Sequence, residues 1–322
     1  MKDQGFGGYL PLEIPQTGSL FEQYGAENVY EVNTGRTAIW CALKNLGVNK
    51  TVIPFYYCPD IKESLEKEGV EVREYRVGMD MMPINLTAGE DEAVILVNYY
   101  GILTEKIRKL AEQYPKVIID QAHGYYSEPF LREGVMNVYS CRKFLGVSDG
   151  GYLIGKNLIK PELEKDVSWQ RTVHLVRSVE EGTEAAYAES KVSESELDSL
   201  RTMSEFTRRI LAGADYPEIK KRRQENFRFL EEEFRGIQQF HIGEPESVPY
   251  MYPLLLGRDI HRELVKEKVY VPYLWAPLLT KEWEGSAEQI LSKNIVPLPL
   301  DQRYNTVVLH RMVQTVKGIL NR

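Results

Sequence analysis

Lys116-Val117-Ile118-Ile119-Asp120-Gln121-Ala122-His123, followed by Met136-Asn137-Val138-Tyr139-Ser140-Cys141-Arg142-Lys143-Phe144-Leu145-Gly146-Val147-Ser148-Asp149-Gly150-Gly151, contains two short apolar runs that each end in polar residues. Near-continuous apolar runs of this length predict strands buried on both faces, as in a largely parallel sheet covered by helices. The same rhythm extends in both directions. Strands are predicted at 28–32, 51–54, 70–75, 93–97 and 151–154, with helical patterns at 37–46, 60–68 and 104–114. This βαβ alternation predicts an α/β fold with a mostly parallel central sheet flanked by helices. Ligands in such sheets bind beyond the carboxyl ends of the strands, where the polar residues just quoted lie.

From about residue 161 to 213 the chain turns polar and helical, and the charged stretch 216–234, which includes Lys220-Lys221-Arg222-Arg223, predicts one long solvated helix. A smaller unit follows, with strands predicted at 250–256 and 269–272, a helix at 259–267 and a closing helix at 305–320. The expected organisation is a large domain over 1–213 and a smaller C-terminal α/β domain over 214–322.

Composition narrows the function classes. A chain of 322 residues with 43% hydrophobic content can bury a sizeable core. Its formal net charge is −7, and Lys and Arg are scattered without a basic block, so nucleic-acid binding has no electrostatic footprint. Cys41, Cys58 and Cys141 are odd in number and widely spaced, which fits neither a disulfide framework nor a zinc site and predicts a reducing compartment. The first residues lack the apolar core of a signal peptide, and no apolar run approaches the roughly 18 residues of a membrane span. A cytoplasmic protein without membrane contact is expected.

The chemistry resides in a constellation. A Schiff-base amine must be presented on a fixed turn, and a pyridine ring acting as an electron sink needs a carboxylate that keeps its nitrogen protonated. Asp120 and Lys143, at the ends of successive predicted strands, meet both requirements and point to pyridoxal phosphate. Alone, Asp120 reads as a helix cap or salt-bridge partner, His123 as a packed histidine and Lys143 as a solvated side chain. Together, His123 is placed near the cofactor's ring or phenolic oxygen, and Ser140 precedes the lysine with a hydroxyl for a phosphate oxygen. Thr34-Gly35-Arg36-Thr37 opens a predicted helix, where free backbone N–H groups suit a phosphate, although Thr34 equally reads as the helix cap. Tyr57 reads either as an aromatic stacked on the ring or as core. Asn98-Tyr99-Tyr100-Gly101 ends another strand and is expected to line the same pocket. Cys58 and Cys141 are given no catalytic role.

In this order the residues resemble the fold-type I pyridoxal-phosphate-dependent transferases, and more narrowly the DegT/DnrJ/StrS sugar aminotransferases. Asn33-Thr34-Gly35-Arg36-Thr37-Ala38 is similar to that family's phosphate turn, Val97-Asn98-Tyr99-Tyr100-Gly101 to its Val-His-x-Tyr-Gly, and Asp120-Gln121-Ala122-His123 to its Asp-x-Ala-Gln/His. Val269 through Trp275 is similar to its small-domain strand, and Val296-Pro297-Leu298-Pro299-Leu300 to its pocket-closing loop. The resemblance implies that Lys143 is the Schiff-base lysine and proton shuttle, Asp120 the partner of the pyridine nitrogen, and His123 a neighbour of the phenolic oxygen. It implies that the amides of Gly35 and Arg36 join Ser140 on the phosphate. It further implies a homodimer with active sites at the interface, where partner residues near Ser204 complete the phosphate site. The implied reaction is ping-pong transfer from a glutamate-like amino donor to a keto sugar or related keto acceptor. Ser-x-x-Lys-Phe is also similar to the pattern of cysteine desulfurases. A lyase or desulfurase on the same fold, and a non-catalytic pyridoxal-phosphate-binding regulator or scaffold, are therefore the alternatives.

Overall fold

In the computed structural model, which describes residues 10, 12–195, 197, 199–240, 245 and 247–322, the apolar runs become the inner strands of one large sheet. Its strands are β1 (Val29–Val32), β2 (Lys50–Pro54), β3 (Glu71–Val77), β4 (Pro83–Ile84), β5 (Glu92–Val97), β6 (Val117–Asp120), β7 (Val135–Ser140) and β8 (Gly151–Ile154), in spatial order β1-β8-β7-β6-β5-β2-β3-β4. The neighbours from β3 through β7 pair in parallel. β8 runs antiparallel between β7 and β1, so β1 points the same way as the parallel strands. Strands β1, β2, β5, β6 and β7 therefore deliver their carboxyl ends to one edge. Val94, Ile95, Leu96, Ile118 and Ile119 are fully buried, as expected of strands covered on both faces.

Helix α1 (Gly35–Leu46) starts where Thr34 Oγ1 accepts from Thr37 N, and it ends at Gly47 in the left-handed conformation (φ 65°). Its apolar face, which includes Ala38, Cys41 and Ala42, packs on β7 and β8. Helices α2 (Pro59–Lys67) and α3 (Thr104–Ala111) cover other parts of the sheet. The polar region beyond β8 forms α4 (Val173–Glu181), α5 (Tyr187–Ser195) and α6 (Glu205–Ala212).

Helix α7 (Tyr216–Phe234) begins against the aromatic cluster beneath β7 and β8 through Tyr216 and Ile219, and it ends in a separate apolar core through Phe227, Leu230 and Phe234. The sequence pattern predicted a solvated helix. Its inner face instead buries Arg223 and Asn226 as well as these apolar residues. The second core also holds β9 (Tyr252–Leu255), α8 (His261–Lys266) and α10 (Thr306–Leu320), and α9 (Ala287–Asn294) leads into β10 (Ile295–Leu298). β9 and β10 pair antiparallel as a two-stranded sheet.

Two expectations are corrected here. Residues 269–272 are not a strand: Val269 N is used by Leu264 O to close α8, and Pro272 has no donor to offer a ladder. Residues 296–298, expected within a pocket-closing loop over 296–300, belong to β10, and the loop begins only at Pro299. Among the described residues no helix is long and apolar enough to cross a membrane.

Helix α9, which packs on the large sheet's core and leads into the smaller one, is fastened to β3 by Glu288, which is buried and accepts from Arg76 Nε (2.6 Å), Arg76 Nη2 (2.7 Å) and Val77 N (3.0 Å). Replacing Glu288 with Ala orphans the Val77 amide and an arginine fork, and it should cost about 2 kcal/mol, read as a lower urea midpoint. Arg76→Ala should cost less, because Arg76 is nearly half exposed and its loss leaves Glu288 one backbone donor.

Candidate active site

Asp120 closes β6, in register with Val97 on one side and Val138 on the other, and is only 5% exposed. Its Oδ1 accepts from Ala122 N (2.7 Å) and its Oδ2 from the Tyr57 hydroxyl. Both donors are neutral, and no cation among the described residues forms an ion pair with it. Burial raises the Asp120 carboxyl above its ordinary value, and the Tyr57 bond, the Ala122 bond and the charge of Lys143 only partly offset this. A buried carboxylate of this kind fits a cationic partner such as a protonated pyridine nitrogen. Tyr57, expected to stack on a ring or to sit in the core, arrives from the end of β2 with its hydroxyl committed to Asp120.

His123 lies three residues on and is likewise buried. The Tyr100 N–H donates to its Nδ1 (3.1 Å), which assigns the ring proton to Nε2. Burial, reinforced by the charge of Lys143, holds its pKa well below the usual histidine value, so the ring is neutral. One face stacks on Tyr250 at 4.9 Å between centroids. The approach of the two strand ends depends on Gly101, whose φ is 78° and at which any Cβ would collide with the His123 carbonyl.

Lys143 ends a single 3-10 turn (Cys141–Lys143) after β7. Its Nζ lies 5.4 Å from the Tyr250 ring centroid and makes no hydrogen bond or ion pair with a described residue. The turn is held from two sides. Gly150 O accepts from Cys141 N (3.1 Å), and Gln302 Nε2, from the smaller core, donates to Phe144 O (2.9 Å). A Cβ at Gly151 would come within 2.8 Å of the Thr34 carbonyl, so Gly151 permits the end of β1 to meet this turn.

The expected phosphate residues are brought together in part. Gly35 faces Ser140, where an added Cβ would lie 3.9 Å from Ser140 Cβ. Neither the Gly35 amide nor the Ser140 hydroxyl has a hydrogen-bond partner among the described residues, and both lie at the N-terminus of α1, where anions are favoured. Thr34 is the helix cap, and its hydroxyl is occupied by Thr37. The Arg36 guanidinium turns away to Leu197 O (2.8 Å) and Asp60 (3.8 Å), which leaves its backbone as the part at the cradle. Ser204, near which the resemblance places a partner's contribution to the phosphate site, is buried within its own chain. Asp149 accepts from its amide (2.8 Å) and hydroxyl (2.7 Å), and from the Thr207 hydroxyl, fixing the start of α6.

Several residues at the site had no assigned role in the sequence. Tyr250 is anchored by its N–H on Tyr100 O (2.9 Å) and lies between His123 and Lys143. Trp275 sits edge-on to Tyr56 at 4.3 Å, closing the aromatic wall. A cavity of about 550 Å³ opens beside Lys143, lined by Phe144, His174, Tyr187, Arg223 and Arg303 among others. No local spacing links residues 250, 275 or 223 to the lysine turn. Among the described residues no group of His, Cys, Asp and Glu could hold a metal ion.

Comparison with solved structures places this architecture. The sugar aminotransferase CalS13 from Micromonospora echinospora superposes with a TM-score of 0.60 at 15% identity, over 93% of this chain and 89% of that one. Spr1654 from Streptococcus pneumoniae, in its PLP form, gives 0.61 at 15% identity, over 93% and 88%. DesI, solved in the presence of its TDP-sugar product, gives 0.60 at 12% identity, over 94% and 83%. The chain thus has the fold of the fold-type I aminotransferases along nearly its whole length. No protein-family model matches it, and no curated protein matches it in sequence.

The state of His123 has a pH signature. Its folded pKa is depressed, so below about pH 6.5 the unfolded chain takes up a proton that the folded ring refuses, and stability falls as pH falls. His123→Gln should remove this contribution. The loss of stability between pH 7 and pH 5, measured by urea titration, should shrink by up to about 2 kcal/mol relative to wild type.

Proposed function

We propose that the protein is a pyridoxal-phosphate-dependent aminotransferase. The observation that carries this reading is Asp120: a buried carboxylate served only by neutral donors, at the sheet edge that also presents the Lys143 amine and the open Gly35–Ser140 cradle. Bound there, pyridoxal phosphate supplies a carbonyl carbon that condenses with amines and a ring that accepts electrons from the substrate carbon. Asp120 would hold a proton on the nitrogen of the bound ring, a role its burial among neutral donors suits. Tyr57 fixes the direction of that carboxylate. His123, with its proton on Nε2, donates toward the ring oxygen. The amides of Gly35 and Arg36 and the hydroxyl of Ser140 take the phosphate. Lys143 moves a proton at Nζ to and from the substrate carbon, and the aromatic wall of Tyr56, Tyr99, Trp275 and Tyr250 excludes water.

The substrates in this reading are a glutamate-like amino donor and a keto sugar or related keto acceptor, in ping-pong order. The superposition with CalS13 and DesI supports that choice. Residues 1–213 carry the cofactor and 214–322 close over it. The working unit is a homodimer, which is supported by the exposed apolar strip Trp169, Val173, Val176 and Val179 that a second copy would cover. A desulfurase would need an exposed thiol, whereas Cys41 and Cys141 are buried and Cys58 is partly so.

The deciding experiment is the visible spectrum of wild type and Lys143→Ala after incubation with pyridoxal phosphate, with borohydride reduction and peptide mapping of the adduct. A band that requires Lys143, a reduced adduct on Lys143, and bleaching of the band by glutamate are expected. A Lys143-dependent band indifferent to every amino donor would favour a lyase or a cofactor-binding regulator. Absence of the band overturns the proposal.

A further inference from the structure

Helix α7 carries two adjacent arginines with opposite surroundings. Arg222 pairs with Glu218 at the surface (3.3 Å), whereas Arg223 is 2% exposed. Among the described residues every hydrogen-bond acceptor of Arg223 is neutral: Gln302 Oε1 for Nε (2.9 Å), and Tyr250 O (3.2 Å) and Pro249 O (3.5 Å) for Nη1. Its guanidinium lies 4.5 Å over the ring of Phe144. Among the described residues its Nη2 has no partner, and no carboxylate pairs with it. Asp301, the acid whose charge reaches it, is engaged by Arg303 through a fork of 2.7 and 2.8 Å. Although burial opposes it, that fork holds the Asp301 carboxyl below the ordinary carboxylate value. Burial pushes Arg223 down to about 10, a large displacement for a group that normally stays charged under all conditions.

A buried cation without a counterion is costly, and folds rarely retain one unless something outside the fold neutralises it. Arg223 faces the cavity of about 550 Å³ whose wall also contains Lys143. Arg142, Lys143, Arg223 and Arg303 line this space against a single acid, Asp301, which Arg303 already occupies. Tyr250 ties the two ends together, with its ring beneath the Lys143 amine and its carbonyl on Arg223. The Phe144 ring and the two carbonyls fix the plane of the guanidinium, leaving one edge of the fork for an incoming group.

We propose that Arg223 binds an oxyanion of the substrate, a carboxylate or a phosphoryl group, and so places the remainder of that molecule toward Lys143. Arg303 acts as a positioning residue: by engaging Asp301 it keeps the internal carboxylate from occupying Arg223. The assignment deepens the aminotransferase reading and rests on it for the reaction, but the anion site can be measured independently.

The test uses protein loaded with pyridoxal phosphate, so that the cofactor's own phosphate site is filled, and titrates glutarate and inorganic pyrophosphate separately by calorimetry. One probe should bind wild type, with its Kd raised at least tenfold in Arg223→Gln, less in Arg223→Lys, and severalfold in Arg303→Gln, where Asp301 is released to compete. Dependence of glutarate on Arg223 identifies a carboxylate ligand, and dependence of pyrophosphate a phosphoryl one. Arg303 is exposed, so Arg303→Gln decides the matter if the Arg223 variants fail to fold. Binding that is indifferent to Arg303 and Arg223, or absent for both probes, overturns the assignment. The Lys143-dependent visible band, recorded on the same samples, separates this outcome from failure of the aminotransferase reading. A band with no Arg223 effect sinks only the anion site. An Arg223 effect without a band sinks only the reaction.

Discussion

The carboxylate of Asp120 is the constraint on which the rest of the site depends. It sits at the end of a central parallel strand, where both neighbours are themselves buried, so water cannot solvate it. Retaining charge there requires donors, and the described residues supply two, the Tyr57 hydroxyl and the Ala122 amide. Both are neutral, and the balance remains tilted against ionisation. That balance leaves room for positive charge at this edge, where the Lys143 charge acts on Asp120, while His123 stands there as a neutral ring with its tautomer fixed by the Tyr100 amide. The parallel register does the gathering, because it brings the carboxyl ends of β1, β2, β5, β6 and β7 to one side.

The C-terminal part of the chain contributes more than a lid. Gln302 holds the backbone of the lysine turn, Tyr250 wedges between His123 and Lys143, and Arg223 lies against Phe144. These contacts come from widely separated parts of the chain and converge on two adjacent residues, Lys143 and Phe144. Glu288 couples the same unit to β3 at a distance from the site. The geometry of the lysine is thereby tied to the relative placement of both cores, as expected of a site built at a junction.

Much of this was legible in the chain because the inner strands are continuous apolar runs with polar residues at their ends. Val117-Ile118-Ile119 before Asp120, and Val138-Tyr139 before Ser140, announce both a buried strand and the residue that terminates it. Helix α7 was legible as a helix, but its charged composition concealed that Arg223 and Asn226 face inward. Thr34 was legible both as a helix cap and as a phosphate contact, and the structure decides for the cap, where its hydroxyl accepts from the Thr37 amide. Residues 269–272 had strand-like composition and formed none, since β-preference is realised only where a partner edge and free donors exist.

Local pattern was enough for the α/β class, the succession of the inner strands and helices of the large sheet and the residues that end those strands, since periodicity and strand-end chemistry are local properties of the chain. The tertiary structure decided which of those residues meet: that Tyr57 spends its hydroxyl on Asp120, that Ser204 bonds to Asp149, and that an arginine in a charged helix is buried beside the lysine with no ion-pair partner among the described residues. These are contacts between groups far apart in sequence. Their existence depends on packing and on the expulsion of water, which no local pattern encodes.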